Sequence, residues 1–222
     1  MPKFATTSLV LIGLLAATSA LAYDLQRKDL PIPGHGRLMR PESATAILGC
    51  DNGTAFSAFF QGTNDRLGNV FNFGAGAIIS TVEFAHYGFG TPGPYNYDLE
   101  LWDPTSCTFI SAVNGFVAAD AASAVQVEVL NLCPENLYVA GDVIVALDPN
   151  TCPAPNDCYP DLLFDDQINV FCPVVVDATL PAAADCYDQS SVAGPFLLRV
   201  ETNNCPTPTK QGSWGNVKVL YR

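Results

Sequence analysis

Four aspartates, Asp157, Asp161, Asp165 and Asp166, fall within ten residues, beside a loop bracketed by Cys152 and Cys158. Carboxylate oxygens gathered in one short segment suit Ca2+, which takes about six to eight oxygen ligands. Calcium is thus the one cofactor the residues suggest, although the spacing follows no EF-hand pattern. The competing reading is an ordinary acidic surface.

A second group could bind sugars. Trp102 shares a strand face with Asp98 and Glu100, while Tyr87, Phe89 and Tyr95 flank the Gly/Pro-rich turn Gly90–Pro94. Exposed aromatics beside polar groups stack on carbohydrate rings; the same side chains can instead fill the edge of a sheet. Asp98 and Glu100, two apart on a strand, and the neighbours Asp165 and Asp166 are also carboxylate pairs of the kind hydrolases use for acid–base work. Nucleophilic catalysis has less to stand on. His35 sits in Pro33-Gly34-His35-Gly36, and His86 alternates with Phe84 at the end of a strand. No serine stands on a nucleophile elbow. Asp51-Asn52-Gly53 reads as a turn.

Eight cysteines, an even number, fall after the first 22 residues: Cys50, Cys107, Cys133, Cys152, Cys158, Cys172, Cys186 and Cys205. In an oxidising compartment they read as disulfides. The expected pairs are Cys152–Cys158, Cys172–Cys186, Cys107–Cys133 and Cys50–Cys205. A zinc site is disfavoured, since there is no Cys-x-x-Cys and only two histidines are present.

The oxidising compartment follows from the start of the chain. Lys3, the apolar run Leu9–Ala16 and Ala20-Leu21-Ala22 form the charged, hydrophobic and small-x-small parts of a secretory signal peptide. Residues 1–22 are therefore expected to be removed and the protein secreted. No later stretch is long and apolar enough to span a bilayer.

The 222 residues carry 10 Lys and Arg against 22 Asp and Glu, a net charge of −12. That excludes a nucleic-acid binder, which must neutralise phosphates. The charge is unevenly placed. Residues 23–49 hold Arg27, Lys28, Arg37 and Arg40 with three prolines, and read as an extended basic arm. Between Arg66 and Arg199 there is no Lys or Arg, against sixteen Asp and Glu. Such an arm beside an acidic body is either a spacer or a strand that docks on a neighbouring surface.

The body, residues 50–205, must be built of short strands. Ile78, Ser80, Val82, Phe84 and His86 point one way, and Thr81, Glu83 and Tyr87 the other. Tyr95, Tyr97, Leu99 and Leu101 alternate with Asn96, Asp98, Glu100 and Trp102. Val125, Val127 and Val129 share a face opposite Gln126 and Glu128. Asp142–Leu147 is apolar on both sides, as a central strand is. Val174–Val176, Phe196–Glu201 and Trp214–Tyr221 follow, the last in a C-terminal linker and strand over residues 206–222. No helical stripe of three turns appears, and Val117–Val125 reads as an alanine-rich connector. Frequent Gly/Pro turns between short strands predict an all-β, antiparallel, disulfide-linked β-sandwich of jelly-roll type.

Asp51-Asn52-Gly53-Thr54-Ala55, Val70–Phe73, Ile78–Phe84, a Gly/Pro loop into Tyr97–Trp102, Gly141–Val145, Leu162–Asp165 and Phe196–Val200, in this order, resemble the jelly-roll-type β-sandwich modules of secreted bacterial proteins. The resemblance covers about residues 50–202, and eight cysteines exceed what that pattern usually carries. The ending Trp214-Gly215-x-x-Lys218-x-x-Tyr221-Arg222 resembles the C-terminal strands of exported bacterial proteins. Such modules are mostly non-catalytic. The resemblance implies a binding, adhesion or assembly role, toward carbohydrate or another extracellular protein; the alternative is a secreted hydrolase acting through paired carboxylates.

Overall fold

The computed structural model describes residues 27–30, 47–55, 57–59, 61–167, 170–179, 184–190 and 193–205. The expected signal peptide, most of the arm and the C-terminal strand lie outside the described residues. In chain order the strands are β1 (Arg27–Asp29), β2 (Ile47–Leu48), β3 (Ser57–Phe59), β4 (Asp65–Asn72), β5 (Ala77–Tyr87) and β6 (Tyr95–Asp103). Then come β7 (Thr108–Ala118), β8 (Gln126–Asn131), β9 (Tyr138–Val139), β10 (Asp142–Pro149), β11 (Thr151–Ala154) and β12 (Asp157–Tyr159). The last are β13 (Asp161–Phe164), β14 (Pro173–Asp177), β15 (Asp185–Asp188) and β16 (Leu198–Thr202).

All pairings among them are antiparallel, and two sheets pack face to face as a β-sandwich. One runs β15–β14–β4–β10–β6–β7. The other is built around β5. Its residues 81–84 pair with β8 and β16 at once, so those two strands lie on opposite sides of it. β13 follows on the β16 side, then β3, then β1 at the edge.

The alternation of β6 explains its place. Tyr95, Tyr97, Leu99 and Leu101 all face the core and are buried. β10 lies between β4 and β6 in the sheet, and both of its faces are buried. Val143, Val145 and Leu147 enter the main core, while Ile144 and Ala146 join a smaller cluster with Trp102, Val174 and Val176 on the other face of the sheet. Gly68 on β4 lets the two strands approach, since a Cβ there would meet Val145 O at 2.2 Å. Asn69, buried beside it, ties the two sheets together. Its Nδ2 donates to Phe196 O at 2.8 Å, and its Oδ1 accepts from Phe196 N at 3.1 Å.

Several expectations need correction. In β5 the side chains in the main core are Ala77, Ile79, Val82 and Phe84, not Ile78, because the pairing with β16 shifts register between Glu201 and Thr202. β8 is inverted relative to the valine pattern. Val127 and Val129 are exposed, and Leu130 sets the phase by entering the core. Glu128 turns inward, where His86 Nε2 lies 3.3 Å away and Ala119 N donates to it at 2.8 Å. β7 runs through a stretch to which the sequence pattern assigns no strand. It is an edge strand with partly exposed side chains and register shifts against β6, so no clean period marks it. The arm is not wholly separate either, for Arg27–Asp29 and Ile47–Leu48 are strands of the β5 sheet.

The four disulfides are Cys50–Cys172, Cys107–Cys186, Cys133–Cys205 and Cys152–Cys158. Only the last is among the expected pairs. The other three close over separations of 122, 79 and 72 positions, because strand topology rather than chain proximity sets the neighbours. Cys107–Cys186 joins the β6–β7 turn to β15, a strand at the opposite edge of the same sheet. Both half-cystines pack against the Trp102 cluster.

Candidate binding site: an acidic, aromatic pocket that holds Lys28

β1 adds to the edge of β3 in the register Arg27–Phe59, Lys28–Ala58 and Asp29–Ser57. Arg27 Nε donates to Ser57 Oγ at 3.0 Å, and Leu30 enters a small apolar cluster with Ala58, Tyr87 and Leu163. Asp157, Tyr159 and Asp161, at alternate positions along β12 and the start of β13, meet Lys28. Its Nζ lies 2.7 Å from both Asp157 Oδ1 and Asp161 Oδ2. The same ammonium sits 4.8 Å from the Tyr159 ring centroid and 5.2 Å from that of Phe89, which gives it two aromatic faces.

The pocket is braced from behind. Tyr159 Oη donates to Asp157, Tyr95 stacks on Tyr159 at 5.5 Å, and Tyr87 meets Phe89 edge-on at 4.7 Å. Tyr95 Oη donates to Thr91 O at 2.6 Å, which fixes the Gly/Pro-rich turn over the site. Lys28 is 6 % exposed. Burial opposes its charge, but the Asp161 carboxylate and the hydrogen bonds to Asp157 and Asp161 outweigh that and hold its pKa above the usual lysine value. Asp161 Oδ1 is buried with no hydrogen-bond partner among the described residues.

Two sets of residues that the sequence treats as separate are thus one site: the aromatics Tyr87, Phe89 and Tyr95, and the acids Asp157 and Asp161. The other two acids lie apart from the lysine. Asp165 accepts from Asn52 N and from Gln167 N and Nε2, each at 2.8 Å, and Asp166 is exposed, with Asn52 Nδ2 at 3.5 Å. The four-aspartate calcium cage is therefore divided. Asp157 and Asp161 bind an ammonium, Asp165 caps backbone, and no three His, Cys, Asp or Glu among the described residues are arranged to hold a metal.

Trp102, Asp98 and Glu100 lie elsewhere, on the other sheet. They do share a face, as expected. Trp102 is only 2 % exposed, however, so it cannot stack on a sugar. Phe109 meets it edge-on at 5.4 Å, and its Nε1 donates to Glu100 Oε2 at 2.9 Å. Tyr95 and Tyr87 are likewise buried. Asp98 accepts from Gly115 N at 2.7 Å and closes a register shift of β7. Arg66 gathers the remaining acids, with Nε 3.2 Å from Glu100 Oε2 and Nη2 2.8 Å from Asp148 Oδ2. Burial pushes the Asp148 carboxyl up to about 7, against the pull of Arg66 and with the help of the Glu100 and Asp98 charges.

A third pair, Arg199 with Asp51, is buried and doubly bonded, Nε to Oδ2 at 2.9 Å and Nη2 to Oδ1 at 2.7 Å. Asp51 also accepts from Gly53 N, so Asp51-Asn52-Gly53 is both the expected turn and an ion-pair partner. Lys28, Arg66 and Arg199 are not among the expected site residues; Lys28 is expected only as one charge of the basic arm. The rarity of Lys and Arg inside so acidic a chain is the signal that marks Arg66 and Arg199, and the local basic charge of the arm is the one signal that includes Lys28. The chain matches no protein-family model, no curated protein and no solved structure.

Proposed function

We propose that this is an exported, non-catalytic β-sandwich module that acts in binding or extracellular assembly by receiving extended basic segments at a sheet edge. One observation carries the reading. The body has a shaped receptor for a lysine on an added strand, two carboxylates and two aromatic faces, and the chain's own arm occupies it. Four disulfides, and the lack among the described residues of any helix able to cross a membrane, are compatible with an extracellular location. A carbohydrate ligand held by Trp102 is set aside by the burial of that residue.

The test uses the mature chain carrying Lys28→Ala, which weakens its own arm, and a labelled peptide of residues 23–32. Saturable binding is expected, lost when the peptide also carries Lys28→Ala and weakened by salt. If neither peptide binds, the acceptor reading fails.

A hydrolase acting through paired carboxylates is favoured by one observation, the raised Asp148 beside Glu100. It requires turnover of a glycoside or ester that disappears in Asp148→Asn and Glu100→Gln. Absence of turnover in the unaltered chain rejects it.

A further inference from the structure

Of the ten Lys and Arg, only Arg66 and Arg199 lie between Cys50 and Cys205. Both are engaged by buried carboxylates. The remaining positive charge of the mature chain is at its two ends. At the N-terminal end, Lys28 shows how it is used, on the β1 edge of the β5 sheet. The C-terminal residues 206–222 carry Lys210, Lys218 and Arg222 and no Asp or Glu.

The opposite edge of that sheet is β8. Among the described strands it pairs only with β5. Along it Val127 and Val129 are 37 % and 58 % exposed, an apolar strip at a sheet edge. The chain end is delivered there. Asn203 still bonds Ile78 from the β16 side of β5, its N donating to Ile78 O at 2.8 Å. Two residues later Cys205 is joined to Cys133, just beyond the end of β8. The disulfide thus carries the chain across β5 and releases it at the C-terminal end of β8.

We propose that residues 214–221 return along β8 of the same chain as an added antiparallel strand. The direction follows from where the chain is released. Eight residues, 206–213, are available to turn. A strand of eight residues spans about 27 Å, enough to cover the roughly 20 Å of β8. One register satisfies both side-chain chemistry and charge. It sets Val217 opposite Val129, Lys218 opposite Glu128, Val219 opposite Val127 and Tyr221 opposite Val125. Cross-strand apolar pairs and an opposite-charge pair then fall on alternate faces. An exposed edge of this kind is otherwise a site for pairing with other chains.

The experiment is hydrogen–deuterium exchange on the mature protein and on Val217→Asp/Val219→Asp, with light scattering on both. The expected result is a monomer in each case, with β8 amides exchanging at least about tenfold faster in the variant while β10 amides are unchanged. Val217→Pro, which removes one backbone donor without adding charge, gives the same local loss. Equal β8 exchange in the mature protein and both variants overturns the proposal. So does a dimer that the substitutions dissociate, since the tail would then pair with a second copy.

Discussion

Lys28 and Asp161 are 133 positions apart in the chain and 2.7 Å apart in the fold. A three-residue strand at a sheet edge has few backbone bonds to hold it. What fixes β1 is this ion pair, doubled by Asp157 and enclosed by Tyr159 and Phe89. Removing one partner leaves a charge buried without compensation, which typically costs about 3–5 kcal/mol. Lys28→Met should therefore lower the unfolding free energy by about that much in urea titrations. Lys28→Met/Asp161→Leu should recover most of the loss. A single variant within about 0.5 kcal/mol of the unaltered protein would show that the pocket does not anchor the arm.

Asp148 makes stability depend on pH. Its carboxyl titrates at about 7 in the folded protein and near 3.8 when exposed. Between those values the folded state holds a proton that the unfolded state has lost. This contribution is fully present below pH 4, shrinks as pH rises and is gone above about pH 7. Asp148→Asn keeps an oxygen for Arg66 and cannot ionise. Urea midpoints of the variant should fall less between pH 5 and 8 than those of the unaltered protein. Parallel pH profiles would place the titration elsewhere.

Calcium gives a third test. Millimolar Ca2+ should leave the melting temperature unchanged, because the Lys28 ammonium already occupies the place between Asp157 and Asp161 and backbone donors already serve Asp165. A rise that Asp165→Asn/Asp166→Asn abolishes would restore the calcium site suggested by the spacing of the aspartates.

Legibility follows the range of the forces. β6 can be read from its residues because one face meets the core and the next partly meets water. β10 can be read because one face enters the main core and the other the Trp102 cluster, so both are apolar. β8 misleads because its inward face carries Glu128, satisfied by His86 and the Ala119 amide, while its valines lie outside. The site was legible in pieces. Aromatics of the 87–95 turn and acids of 157–161 stand out by type, but Lys28, which joins them, lies 129 and 133 positions away from its two partners. The disulfides follow the same logic. Only Cys152–Cys158, six positions apart, is within reach of local reasoning.

Trp102 separates a structural role from a ligand-binding one. It is correctly placed with Asp98 and Glu100 on the face away from the main core. On that face Ile144, Ala146, Val174 and Val176 pack with the indole, and Cys107 and Cys186 lie against the same cluster. Trp102→Ala removes a large buried side chain and the donor to Glu100, so it should cost about 3–5 kcal/mol. Tyr138→Ala, at a side chain 66 % exposed, should change stability by less than about 0.5 kcal/mol. Both variants should migrate like the unaltered protein in native gels containing soluble polysaccharides, compared below their unfolding midpoints. Retardation of the unaltered protein that folded Trp102→Ala alone loses would reinstate the indole as a sugar platform.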